Sequence, residues 1–270
     1  LNWFGSTQEY TPASWDLADI LWLSSVTSGP YLDKLLTGDI FTYGPRGSNE
    51  YLFGYPEYIP DEYIGGQLAE SWEVSPERIV YQIRPGIMWH ESPIMESREL
   101  TADDIVHSLR RFVAAMKPLW PVRVAMIDDI DDIYAQGKYT VVVETNSYEP
   151  NWEFYIAWGF QTGIQPPELV EAGAADWRNH VGIGTNAFLL TNYVDGVAAM
   201  YVPNPDWWDK KKTINGKEYD TPFIDKLVYP FIKDESTKIA ALRTGKIDFM
   251  SEIPLRYEDT LKQTCPNLIV

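Results

Sequence analysis

The sequence predicts an α/β protein, and three observations predict it. A pair of strand-like segments occupies Leu68 to Arg84, a capped amphipathic helix begins at Thr101, and a second strand pair brackets the turn at Asp195-Gly196. Strand and helix signals stay interleaved along the chain, the pattern of a mixed architecture.

The elements follow in order. Leu1-Asn2-Trp3-Phe4-Gly5 reads as a strand already inside a fold, so something upstream is expected to be missing. Ser14, or Asp16 behind it, caps a first helix through Leu17, Ile20 and Leu21, and Trp22-Leu23-Ser24-Ser25 reads as its break into a loop. A second apolar spacing, Tyr31, Leu32, Leu35 and Leu36, predicts another helix ending at Gly38. Phe41 to Gly66 is rich in Tyr, Gly, Pro and Glu without a period and reads as a long loop with short strands. Such segments are often functional.

Leu68 to Val74 and Arg78 to Arg84 form an antiparallel hairpin around Ser75-Pro76-Glu77, because Ile79, Tyr81 and Ile83 alternate with Val80 and Gln82. Thr101 starts a helix whose first turn carries Asp103 and Asp104, acids that suit the positive end of the helix dipole. Its apolar face is Ile105, Leu109 and Phe112, and it runs to about Ala115. A connection from Val124 to Ile133, a turn at Gly137-Lys138 and a strand from Tyr139 to Glu144 come next. A helix at Pro167 to Ala172 and strands at Ala187 to Tyr193 and Ala198 to Pro203 complete the reading. No internal repeat or low-complexity tract interrupts it.

Composition narrows the function. With 22 basic against 39 acidic residues in 270, the net charge is −17, which excludes a nucleic-acid binder working by backbone attraction. Apolar residues at 45% and aromatic residues at 14% exclude disorder. The single cysteine, Cys265, allows no internal disulfide or multi-cysteine metal site. No apolar run reaches the roughly 18 residues of a membrane span. His90, His107 and His180 lie far apart, outside any zinc motif, and His107 reads as a satisfied histidine. Gly216-Lys217 and Gly245-Lys246 lack the rest of a phosphate loop and read as turns. Gly182-Ile183-Gly184 lacks the third glycine of a dinucleotide fingerprint. There is no nucleophile elbow, and Asp128, Asp129, Asp131 and Asp132 read as a solvated face. No catalytic set, metal or cofactor is expected. The aromatic excess remains: Trp15, Trp22, Trp158, Phe160, Trp207 and Trp208 lie near loops or element ends, where flat rings grip extended ligands well.

The order of several blocks resembles a known family. Leu68-Ala69-Glu70-Ser71-Trp72-Glu73-Val74, Tyr81 through His90 and Leu100 through Leu109 carry the resemblance, with Gly184-Thr185-Asn186-Ala187-Phe188, Asn204-Pro205-Asp206-Trp207-Trp208 and Ser236 through Asp248. The family is family five of the extracellular solute-binding proteins, receptors of ABC importers for dipeptides, oligopeptides, nickel and, in some members, oligosaccharides. Asn186 and Ala187 stand where the family usually has a second glycine and a proline, and Glu91-Ser92 where it has an acidic-Gly pair, which touches turn geometry and not the fold.

The resemblance implies a periplasmic-binding-protein-like class II fold, truncated to part of domain I with an inserted domain II, closing on its solute like a hinge. The expected division is 1–42 for the first part of domain I, 43–150 for domain II and 151–270 for the second part of domain I. The resemblance places the ligand against Leu21, Trp22, Leu23 and Ser24, against Trp158, Gly159 and Phe160, and against Ser251 with Glu252. It implies a non-enzymatic, monomeric receptor that takes a peptide or an oligosaccharide and delivers it to ABC permease subunits. The location implied is extracytoplasmic, in the periplasm or lipid-anchored at the outer face of the cell membrane. A carboxylate-based hydrolase is the competitor from another class, and no assignable acid pair supports it.

Overall fold

The computed structural model describes residues 4–5, 16–17, 25–53, 59–119, 125–159, 162–173, 182–250 and 253–269. In chain order these carry β1 (Phe4–Gly5), α1 (Ser25–Ser28), β2 (Leu36–Gly38), α2 (Ile40–Tyr43), β3 (Ile64–Gly66), β4 (Ala69–Ser75), β5 (Arg78–Ile83), β6 (Met88–Trp89) and β7 (Arg98–Glu99). There follow α3 (Ala102–Leu119), α4 (Ala125–Asp129), β8 (Ile130–Ala135), β9 (Thr140–Thr145), a π-helical turn (Phe154–Trp158) and α5 (Pro167–Glu171). The remainder holds β10 (Phe188–Val194), β11 (Ala198–Pro203), β12 (Lys211–Ile214), β13 (Lys217–Asp220), β14 (Leu227–Pro230), α6 (Glu235–Arg243) and α7 (Glu258–Thr264). Among the described residues no helix is long and apolar enough to cross a membrane.

The chain divides into two compact units: one of Leu1–Thr11, Leu190–Pro203 and Pro222–Val270, and a larger one of Pro12–Leu189 with Asn204–Thr221. The larger unit is built on an antiparallel sheet in the order β4-β5-β9-β8. Alternation along β5 buries Ile79, Tyr81 and Ile83 and leaves Arg78 and Gln82 exposed, so one face is core and the other solvent. Helix α3 covers the core face with Ile105, Leu109, Val113 and Met116, spaced four, four and three apart. Phe112, expected on that face, is only partly buried. The helix also runs past Ala115 to Leu119. At its start the Asp104 carboxylate accepts the Thr101 amide at 2.9 Å, one half of a capping box.

The connection expected from Val124 to Ile133 holds α4 and the start of β8, and two further sequence expectations change. Tyr31 to Leu36 is not a helix. Its last residue opens β2, which pairs with β3 in the register Leu36↔Gly66, and Gly38 ends that strand. The apolar spacing misleads because the segment is threaded between neighbours and buried on both sides: the Leu35 amide donates to the Ala157 carbonyl, and the Leu68 amide to the Lys34 carbonyl. The second change is an addition, the hairpin β12–β13. Its loop is Asn215-Gly216, with φ of 51° and 74°. Both residues at positive φ make the two-residue turn that suits the twist of a hairpin.

The smaller unit carries the sheet β1-β14-β11-β10, with β1 parallel to β14 and β11 antiparallel to it. Helix α6 is capped by Asp234, whose carboxylate accepts the Thr237 amide at 2.8 Å. Gly245, at φ 64°, closes the other end by donating its amide to the Leu242 carbonyl.

Candidate ligand-binding site

The extended segment Tyr31 to Leu36 organises the larger unit, and its two charged residues point to different partners. Asp33 is fully buried. Its carboxylate accepts from Gln67 Nε2 at 2.6 Å, from Thr185 Oγ1 at 2.8 Å and from Trp208 Nε1 at 3.1 Å. Burial pushes the Asp33 pKa up to about 6, against the pull of the Trp208 and Thr185 hydrogen bonds. Arg84 lies over the Trp208 ring, 5.2 Å from its centre, and donates to the Gln67 carbonyl. Gly184 is needed at the same crossing: a Cβ there would stand 1.7 Å from the Tyr31 carbonyl oxygen. The Gly184 carbonyl meets His90 Nδ1 at 3.0 Å. The fragment that resembled a dinucleotide motif is therefore a close backbone packing.

Lys34 points the other way. Its ammonium donates to the Trp158 carbonyl at 2.8 Å, and burial lowers its pKa to about 8. Trp158 ends the π-helical turn, packs edge-on against Phe154 at 5.2 Å and is 7% exposed, yet its indole N–H has no acceptor among the described residues. Gly159 then reverses the chain. A Cβ on it would stand 2.0 Å from the Phe154 carbonyl oxygen. The Gly159 carbonyl accepts the amide and hydroxyl of Thr162 at 3.2 and 2.8 Å. Beyond it Gln165 and Ser108 exchange two bonds: Ser108 Oγ donates to the Gln165 carbonyl at 2.7 Å, and the Gln165 amide donates to Ser108 Oγ at 2.9 Å. This fastens the turn to α3.

Of the residues the sequence singled out, Trp158 and Gly159 are placed on this turn. Leu21, Trp22, Leu23, Ser24, Phe160, Ser251 and Glu252 lie outside the described residues. Sequence reasoning missed Lys34 and Asp33. The available signal was a pair of opposite charges inside the otherwise apolar run Tyr31 to Leu36. Trp207 and Trp208 also separate: Trp208 serves Asp33, while the Trp207 N–H is buried without an acceptor among the described residues. His107 was expected to be satisfied, but its Nε2 is buried and unpartnered among those residues. They contain no group of three or more His, Cys, Asp or Glu able to hold a metal ion.

The sequence profile of the bacterial extracellular solute-binding proteins, family 5 (middle) matches residues 64–265, and the chain belongs to that family. The family is one of binding proteins and not of enzymes. The chain is 29% identical over 194 residues to Di/tripeptide-binding protein 2 of Pseudomonas aeruginosa (strain UCBPP-PA14), covering 66% of this chain and 35% of that one. It is 23% identical over 206 residues to Heme-binding protein A of Haemophilus influenzae, covering 68% and 34%. Its fold matches the periplasmic binding protein DppA of Helicobacter pylori, solved with the peptide STSA, with a TM-score of 0.71 at 21% identity. That match covers 99% of this chain and 49% of DppA. The chain thus spans about a third of the curated relatives and about half of the solved structure.

Proposed function

We propose that the chain is part of the solute receptor of an ABC importer, and that its solute is a peptide or a similarly extended molecule passed on to the membrane permease. Residues 1–42 and 151–270 contribute to one lobe and residues 43–150 to the other. The solute lies against the loop Leu21 to Ser24, the turn Trp158 to Phe160 and the strand end Ser251-Glu252. The receptor works as a monomer outside the cytoplasm, in the periplasm or anchored by lipid. The observation that carries this reading is the Trp158–Gly159 turn, where a buried indole N–H and a lysine ammonium are left with donors to spare. Unspent buried donors are costly unless something accepts from them. The peptide reading is preferred over the oligosaccharide reading because similar proteins include Di/tripeptide-binding protein 2 and DppA solved with a peptide. Mass spectrometry of the full-length protein purified under native conditions tests the proposal. A co-purified peptide supports it, and a co-purified sugar rejects the peptide reading while keeping the receptor.

A further inference from the structure

We propose that His107 makes the polar face of α3 an acid-sensitive clasp: with the imidazole neutral the face holds three distant segments together, and a proton on the imidazole loosens that hold. The inference does not depend on the identity of the solute.

Asp104, His107, Ser108 and Arg111 are spaced three, one and three apart, which gathers them on one face of α3. Three of the four reach segments far away in the chain. The Arg98 guanidinium grips Asp104 at 2.9 and 2.6 Å and holds Glu168 of α5 at 2.6 and 2.8 Å. Ser108 exchanges two hydrogen bonds with Gln165, whose Oε1 accepts the Leu17 amide at 3.3 Å. Arg111 holds both carboxylate oxygens of Asp16. One helix face thereby fastens Asp16-Leu17, Gln165 and Glu168.

His107 sits amid these contacts and its Nε2 makes none. The ring is half-buried, Nε2 lies at its buried end, and that nitrogen has no hydrogen-bond partner among the described residues. A neutral imidazole tolerates this, because its proton resides on Nδ1 and leaves Nε2 bare. The imidazolium carries an N–H on both nitrogens, so a proton places a buried donor, and part of a positive charge, where nothing accepts it.

The surrounding charges do not reverse this. Asp104 and Arg111 face the ring from α3, and Glu168 and Glu171 face it from α5. Arg98 occupies the carboxylates of Asp104 and Glu168, Arg111 repels a second cation, and Glu171 is exposed, where water screens it. Burial first, then Arg111, outweigh the three acids and hold the His107 pKa below the ordinary histidine value. A histidine depressed on folding contributes stability that is present above its unfolded pKa of about 6.5 and is lost as pH falls below it.

The test follows denaturant unfolding of the full-length protein and of His107→Gln from pH 8 to pH 5, together with hydrogen exchange at two amides of the α5 segment. These are Leu169, which donates to the Pro166 carbonyl, and Ala172, which donates to that of Glu168. Glutamine keeps a polar side chain and takes up no proton, and groups remote from the clasp titrate alike in both proteins and cancel. On acidification the wild-type unfolding constant is expected to rise about threefold or more beyond that of the variant. The Leu169 and Ala172 amides should open more often at pH 5 in the wild type alone, after correction for intrinsic exchange. Parallel unfolding curves overturn the proposal. So does equal exchange of the two amides in both proteins, because the proton would then act away from α5. An NMR titration of the wild-type His107 ring needs no variant to fold: a pKa below the ordinary value supports the clasp, and one at or above it overturns the clasp.

Discussion

The carboxylate of Asp33 and the indole N–H of Trp208, 175 positions apart in the chain, meet at 3.1 Å. With Thr185 and Gln67 on the same carboxylate, this contact closes four separate segments of the larger unit around one buried charge. Removing that charge strands three donors at once. Asp33→Ala is expected to cost about 3–5 kcal/mol in denaturant unfolding, and a loss below about 1 kcal/mol would show that the junction holds without it.

Glu153 provides a pH signature. It is 1% exposed, its Oε2 has no partner among the described residues, and the nearby Tyr81 hydroxyl is equally unpartnered. Burial first, then the charges of Asp61 and Glu149, push its pKa up to about 7. A carboxyl raised on folding stabilises the fold fully below its unfolded pKa, and that contribution is lost as pH rises through 7. Wild-type stability should therefore fall between pH 5 and 8 relative to Glu153→Gln. The variant should lead by about 1–3 kcal/mol at pH 8 and match the wild type near pH 4. Parallel stability curves for the two proteins would refute this.

Arg98 joins three elements of the larger unit. From β7 it grips Asp104 at the start of α3 at 2.6 Å and Glu168 in α5 at 2.6 Å. Arg98→Ala leaves the buried Asp104 with only the Trp89 and Thr101 N–H donors, at 3.3 and 2.9 Å, beside its weak 3.5 Å contact with the Thr101 hydroxyl. A loss of about 2–4 kcal/mol is expected, with Lys a poor substitute because it lacks the planar fork. Full rescue by Arg98→Lys in thermal melts would show that charge alone suffices.

The parts legible in the sequence are those whose burial is one-sided. Strand β5 shows alternation because one face of its sheet is wet, and α3 shows a stripe because only one side is covered. Tyr31 to Leu36 was illegible because neighbours cover it on both sides, and a doubly buried extended segment carries no period. The β12–β13 hairpin did carry its signal, Asn215-Gly216, but Gly216-Lys217 was read only as a turn, without the strands on either side of it. Trp158 and Gly159 were singled out through family resemblance, not through periodicity. Lys34 was not, because its contact with the Trp158 carbonyl belongs to the three-dimensional surroundings and not to spacing.

Trp22 separates cleft from core. A core Trp cut to Ala costs about 3–5 kcal/mol of stability, whereas a cleft Trp costs little stability and weakens binding. Trp22→Ala in the full-length protein is expected to follow the second pattern, measured by unfolding and solute affinity side by side. Lost stability with unchanged affinity would return it to the core.

The central claim, a receptor for a peptide-like solute, is tested most directly by titrating the solute-free, full-length protein with di- and tripeptides in a calorimeter, with oligosaccharides as the comparison. The account predicts saturable binding of one peptide per chain at micromolar or tighter affinity and no heat from sugars. Binding of a sugar with silence from every peptide would contradict it.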